Sequence, residues 1–182
     1  MLSDDISKVL VSEEDIKKRV KELSYEIEKD YAGEKFILVG VLRGAFIFIS
    51  DLAKSIRSRC SIDFIATSSY GETGTTSSGK VKLLKDVSSH ITGKNVIIVE
   101  DILDTGTTLE FVMDHFSKKN PKSIKICTLL SKPARRKFNL DAKYVGFVIP
   151  DEFVVGYGLG YGEEYRNLPY VGVLKEKIWK EN

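Results

Sequence analysis

Cysteine is scarce in this chain, with only Cys60 and Cys127 among 182 residues. Each lies in or beside an apolar, strand-like run, and neither has metal-ligand or CxxC spacing, which excludes a disulfide framework and a zinc module. They read as reduced packing residues. Histidine is equally rare. His90 and His115 stand far apart, so a histidine metal site or nucleophilic triad has no material, and both are assigned to structure or surface. An excess of one charge is missing too: 28 Lys and Arg against 26 Asp and Glu leave a formal net charge of +2. That is too little to argue for nucleic acid or an anionic membrane surface. No apolar run approaches the ~20 residues of a membrane span. Met1-Leu2-Ser3-Asp4-Asp5 is acidic, without the basic and apolar regions of a secretory signal, so the expected compartment is the cytoplasm. What is present, 42% hydrophobic and 30% charged residues, describes one soluble globular domain with a substantial core.

The stretch Val96-Ile97-Ile98-Val99-Glu100-Asp101-Ile102-Leu103-Asp104-Thr105-Gly106-Thr107-Thr108-Leu109 is the most informative. Its β-branched start has the pattern of a strand buried on both faces of a parallel sheet. Two carboxylates are expected to end the strand where it meets solvent. The short hydroxylated loop from Asp104 then leads into an amphipathic helix, Leu109–Phe116. Backbone N–H groups and threonine hydroxyls at a helix N-terminus make an anion site, beyond the carboxyl end of a strand, where open α/β sheets bind ligands. Three carboxylates beside a phosphate cradle suit a ligand with hydroxyls or a metal at one end and a phosphate at the other. Ribose 5-phosphate has that layout.

The remaining chain supplies the rest of an α/β fold. Ser12 is a helix N-cap followed by acidic residues, and Ile16, Val20, Leu23, Ile27 and Tyr31 recur at helical spacing. Phe36–Leu42 is a buried strand running into Arg43-Gly44-Ala45 and the helical Phe46–Ile56. Ile62–Tyr70 is the next strand. The Gly, Ser and Thr-rich segment 71–80 reads as a loop, of the kind that often forms a lid. Gly74 to Gly79-Lys80 fits the first seven positions of a P-loop, but Val81 stands where Ser or Thr should, and a strand follows instead of a helix, which excludes a nucleotide triphosphatase. Lys82–Lys85 is a short strand and Gly93-Lys94-Asn95 a turn. Ser123–Leu130 is another core strand, ending at Lys132, for which pattern alone favours a solvated surface lysine. Tyr144–Val148 and the aromatic, glycine-rich Phe153–Gly162 precede Arg166 and a last strand, Tyr170–Leu174. The glycines do not match a dinucleotide fingerprint. The aromatics suit either a platform for a planar ring or core packing.

Val99–Gly106 resembles the phosphoribosyl-pyrophosphate motif of type I phosphoribosyltransferases, specifically the hypoxanthine-guanine phosphoribosyltransferases. The resemblance runs through Val41-Leu42-Arg43-Gly44, Ser68-Ser69-Tyr70, Gly93-Lys94-Asn95, Lys132-Pro133, Val145-Gly146-Phe147, Phe153 to Tyr157 and Tyr165 to Tyr170. It implies an open, mostly parallel twisted sheet flanked by helices, in one domain over residues 1–182. The core would run over roughly 12–145, a hood over roughly 1–11 and 146–182, and a lid over roughly 69–81, in the manner of a single domain with a mobile loop. It also implies transfer of the 5-phosphoribosyl group of phosphoribosyl pyrophosphate to N9 of hypoxanthine and guanine, and on the same pattern xanthine, in purine salvage.

The resemblance implies the residue roles as well. Glu100 and Asp101 would face the ribose hydroxyls with a Mg2+ ion nearby, and Asp104, Thr105, Gly106, Thr107 and Thr108 would hold the 5-phosphate. Asp104 would also serve as general base or acid at purine N7. Lys132 would donate to the purine 6-oxygen, Phe153 would stack on the base and the Val154 backbone would read its edge. Arg43, Gly44 and Arg166 would hold pyrophosphate, with a cis peptide expected at the Arg43 turn. Ser69 and Tyr70 would belong to the closing lid. Members of the family are homodimers or homotetramers. One position departs: where the family usually has an Asp that helps hold a second Mg2+, this chain has Gly160, so that ion would rely on substrate oxygens, water, or a neighbour such as Glu163 or Glu164. Weaker metal–pyrophosphate binding is expected, with the chemistry intact. The competing class is a non-catalytic nucleotide- or RNA-binding regulator on the same fold. It would show a basic face with interleaved aromatics, which the near-balanced charge does not favour.

Overall fold

A computed structural model describes residues 2–69 and 81–180. Two sheets divide the chain. The larger has six strands: β2 (Phe36–Leu42), β3 (Cys60–Ser69), β4 (Val81–Lys85), β5 (Asn95–Leu103), β6 (Ser123–Ser131) and β7 (Tyr144–Val148). Their order is β4-β3-β2-β5-β6-β7, with only the β3–β4 pair antiparallel. The smaller sheet is antiparallel, β1 (Ile6–Val11) beside β9 (Val171–Leu174) beside β8 (Val154–Val155).

The continuous apolar runs predicted as doubly buried strands are the central ones. Residue alternation sends each strand's side chains to two cores. Leu38, Ile97, Val99, Cys127 and Leu129 join Ile16, Val20, Leu23, Phe48 and Leu52 from α1 (Glu13–Tyr31) and α2 (Phe46–Ser55). Ile37, Val39, Val41, Val96, Ile98 and Ile126 join Leu109, Val112 and Phe116 from α3 (Thr107–Ser117) on the opposite face. Helices therefore cover both sides of the sheet, as the mostly parallel architecture requires. Ser12 caps α1 as expected, its hydroxyl accepting from the Asp15 N–H at 3.1 Å, a contribution of about 1 kcal/mol. Cys127 is fully buried, which pushes its thiol far up and makes it an inert packing residue. His115 lies 3.0 Å from Asp86, its ring stacked on Phe111, so its role is structural.

Among the elements not anticipated, two lie near the chain ends. β1 forms inside the N-terminal segment by pairing with β9, and a short α4 (Glu176–Trp179) follows β9. Both belong to a third apolar cluster with Val155, Tyr165, Leu168 and Leu174. Among the described residues no helix is long and apolar enough to cross a membrane.

Candidate functional site

Parallel pairing of β2, β5 and β6 brings three strand ends together. β2 delivers Arg43 and Gly44 through a cis Leu42–Arg43 peptide, matching the expectation for that turn. β5 delivers Glu100 and Asp101. Here the structure corrects the sequence reading, because the strand does not stop at the acids but pairs with β6 as far as Leu103. Glu100 is only 6% exposed. Burial first, then the adjacent Asp101 charge, pushes its carboxyl well above the usual range. Burial raises Asp101 as well, against hydrogen bonds and the Arg166 charge that favour its ionised form. A buried acid beside a half-buried one, with so little positive charge against them, suits a hard cation or a hydroxylated ligand.

After Leu103 the chain turns at Gly106 in the left-handed region, φ 88°, and enters α3 with no side-chain cap. Gly106 has no side chain to cap this eleven-residue helix, and the Thr107 N–H reaches only the Thr105 hydroxyl, at 3.4 Å. Thr105 and Thr107 link their hydroxyls at 3.1 Å. Arg136 braces this loop, a function without a sequence signal. Its guanidinium donates to the carbonyls of Leu103, Asp104 and Leu140 and to the Ser131 hydroxyl, all at 3.0–3.3 Å. The Asp104 carboxylate Oδ1 is buried without a hydrogen-bond partner, Arg135 Nε standing 3.4 Å away. Ion-paired but without a hydrogen-bond donor, this oxygen keeps acceptor capacity for a ligand.

β6 ends at Lys132, and the surface-lysine reading fails. Lys132 is 4% exposed and its Nζ donates to the Glu152 carbonyl at 2.5 Å, with Asp151 at 3.8 Å. Burial lowers its pKa, the nearby Asp104 and Asp151 charges offsetting only part of the effect. The hydrogen bond fixes the ammonium beside Phe153 and Val154. Phe153 stays partly exposed, its ring edge-on to Tyr161 at 5.6 Å, while the Val154 backbone pairs with β9. Tyr157 and Tyr165 are buried, each hydroxyl donating to an aspartate, Asp51 or Asp5, so those two aromatics are core.

The hood returns over β2. Gly158, at φ 104°, packs so closely on Gly44 that a Cβ there would collide with the Gly44 carbonyl oxygen. Gly44 is pressed from the other side: its own Cβ would overlap the Asp101 carboxylate. Arg166 donates to the Gly158 carbonyl at 2.7 Å, and its side chain lies flat over Gly160, with Cγ, Nε and Cζ each 2.9 Å from where a Cβ would be. Glu163 links the two arginines, at 2.7 Å from Arg43 Nη1 and 3.6 Å from Arg166 Nη2. Arg43, Gly44, Asp101 and Arg166 are therefore one cluster. Ser69 ends β3, but Tyr70 and residues 71–80, the remaining lid positions, lie outside the described residues.

Comparison with known proteins gives a consistent result. The model of the phosphoribosyl transferase domain matches residues 9–161. A hypoxanthine-guanine phosphoribosyltransferase of Streptococcus agalactiae is 52% identical over 181 residues, covering 100% of both chains. That of Streptococcus thermophilus is 51% identical with the same coverage. Among solved structures, a hypoxanthine phosphoribosyltransferase from Staphylococcus aureus superposes with a TM-score of 0.92 at 50% identity, over 98% of this chain and 96% of that one. A hypoxanthine-guanine phosphoribosyltransferase from Bacillus anthracis gives 0.88 at 54% identity, over 93% and 99%.

Proposed function

The chain belongs to the phosphoribosyl transferase family, and from that premise we propose that it salvages 6-oxopurines. It transfers the 5-phosphoribosyl group from phosphoribosyl pyrophosphate to N9 of hypoxanthine and guanine, giving IMP or GMP and pyrophosphate. The observation that carries this is the buried Glu100 and its neighbour Asp101, set a few residues before a helix whose N-cap is a glycine without a capping side chain. Acids receive the ribose hydroxyls while Thr105, Gly106, Thr107 and Thr108 receive the 5-phosphate. Nothing in the comparisons favours the non-catalytic regulator.

As the C1–pyrophosphate bond breaks, positive charge develops on the ribose and negative charge on the leaving group. Arg43, the Gly44 backbone and Arg166 take the pyrophosphate. N9 attacks C1, and the proton on N7 passes to the Asp104 carboxylate, whose Oδ1 accepts no hydrogen bond. Lys132, held by the Glu152 carbonyl, donates to O6, Phe153 stacks on the base and Val154 reads its edge. A cation at that place accepts a keto oxygen and opposes the adenine amino group, since both donors would be left unpaired. The acid pair fits a Mg2+ ion, which would supply charge neutralisation to the pyrophosphate end of the substrate. Among the described residues no three His, Cys, Asp or Glu gather to hold a metal, so Glu100 and Asp101 would hold the ion with substrate oxygens and water. Gly160 offers no ligand and lies under a guanidinium, which does not fit a second ion there. Ser69 and Tyr70 are assigned to the lid, and the enzyme to the cytoplasm as a homodimer or homotetramer, on the family resemblance.

The test is IMP formation from hypoxanthine and phosphoribosyl pyrophosphate. Asp104→Ala lowers kcat by about 10²–10⁴-fold and disturbs phosphoribosyl pyrophosphate binding far less. Equal losses in both would mean a structural role for Asp104, and no product from either purine alongside RNA binding would overturn the enzyme reading.

A further inference from the structure

Phe153 has a second aromatic neighbour that the reaction does not use. Trp179, the one tryptophan of the chain, lies in α4 with its ring stacked on Phe153, centroids 5.0 Å apart and planes 17° from parallel. Its side of Phe153 is the inside of the hood. There it joins a cluster with Leu2, Ile6, Val155, Tyr161, Tyr170, Leu174 and Ile178, which contains none of Ile102, Leu103 or Leu130 from the strand ends at the site. Phe153 is thus stacked on an indole and makes a T-shaped contact with Tyr161, and the residue stays partly exposed.

The C-terminal segment is tied in place independently of Phe153. The Lys175 N–H donates to the Asp5 carbonyl at 2.9 Å and Lys175 Nζ to the Asp4 carbonyl at 2.5 Å, so α4 is anchored to the N-terminal turn. The Leu174 N–H donates to the Phe153 carbonyl at 2.9 Å, which fixes the backbone of both stacked segments against each other. A ring stacked on one side only can rotate about its two side-chain torsions. With one face stacked on the indole and a T-shaped contact to Tyr161, Phe153 is restricted to one orientation before any base arrives.

We propose that Trp179 is a positioning residue for purine binding: it sets the plane of Phe153, so the C-terminal helix of the hood governs affinity for the base and not for the phosphoribosyl donor. This rests on the reading that Phe153 stacks on the purine. An aromatic pair of this kind is worth about a three- to tenfold effect on binding.

The experiment measures KM for hypoxanthine and for phosphoribosyl pyrophosphate in Trp179→Ala, Trp179→Phe, Phe153→Ala and the double Ala variant. Trp179→Ala raises the hypoxanthine KM about three- to tenfold while the donor KM stays within about twofold, Trp179→Phe restores most of the loss, and Trp179→Ala adds little to Phe153→Ala. Trp179→Leu, which keeps apolar bulk without a stacking face, replaces the Ala variant if that one does not fold. An unchanged hypoxanthine KM in Trp179→Ala overturns the proposal. So does an equal rise in both KM values, which marks general loosening of the hood, or a full additional loss in the double variant, which means that Trp179 does not act through Phe153. If Phe153→Ala itself leaves the hypoxanthine KM unchanged, the stacking reading falls and the proposal with it. A raised KM in Phe153→Ala beside an unchanged one in Trp179→Ala removes the Trp179 role alone.

Discussion

Replacing Gly44 with alanine puts a methyl group where the Asp101 carboxylate already lies, overlapping Oδ2 and standing 3.0 Å from Oδ1. A carbon and a carboxylate oxygen need roughly 3.5 Å, so one of the two groups must retreat by well over about 1 Å. Asp101 is held by the Ile102 N–H, which donates to its Oδ1 at 2.7 Å. Gly44 cannot withdraw either, because Gly158 packs against its carbonyl. A displacement of about 1 Å in a positioning group costs on the order of 10²-fold in rate, and overpacking costs about 1–3 kcal/mol. Gly44→Ala is therefore expected to lose roughly 10²-fold in kcat/KM for phosphoribosyl pyrophosphate, with Tm lower by about 2–12 °C for a chain of this size. Steady-state kinetics and a thermal melt read both. Gly33→Ala serves as the comparison, since its Cβ would enter open space although its φ is 85°; it loses stability and no activity. A Gly44→Ala enzyme with kcat/KM within about threefold of the parent would refute the geometric account, because a smaller loss than about half a decade is inconsistent with a displaced Asp101.

Two further expectations follow from charges in the site. In the proposed reaction Lys132 binds the purine as an ammonium, and burial lowers its folded pKa from 10.5, so kcat/KM for hypoxanthine falls as pH rises through the lowered value, before an ordinary lysine would titrate. Because folding disfavours the charged form, the cost to stability is present at neutral pH and relieved as pH climbs toward the unfolded value. Lys132→Met accordingly removes that alkaline limb, raises the purine KM and increases Tm at neutral pH; a limb that survives the substitution belongs to another group. Glu163 occupies Arg43 and Arg166, so Glu163→Gln tightens pyrophosphate binding by about two- to fivefold in calorimetry without added metal. Weaker binding would make Glu163 a contributor to that site and not its competitor.

The buried strands were readable because β2, β5 and β6 are covered on both faces and carry continuous apolar runs, a pattern that few other elements produce. β1 was not. Its sequence Ile-Ser-Lys-Val-Leu-Val is half exposed along most of its length, and its partner β9 lies at the far end of the chain. The chemistry of the site was legible where residue types are unusual for their place, as with acids directly after Val99 or a glycine among threonines. Burial was not legible. Lys132 looks like a surface lysine because its partner, the Glu152 carbonyl, comes from a loop twenty residues on. Arg136 escaped notice because it binds backbone carbonyls, which leave no mark on the residues that supply them. Gly44 against Asp101 is a contact between two strand ends, beyond any local window.

The guanidinium lying on Gly160 has one more consequence. An ion taken from solution is present only as supply allows, whereas Arg166 belongs to the chain and is held by the Gly158 carbonyl. With no side chain at Gly160 to contest its place, the cationic part of the proposed pyrophosphate site is built into the chain, whether divalent ions are abundant or starved.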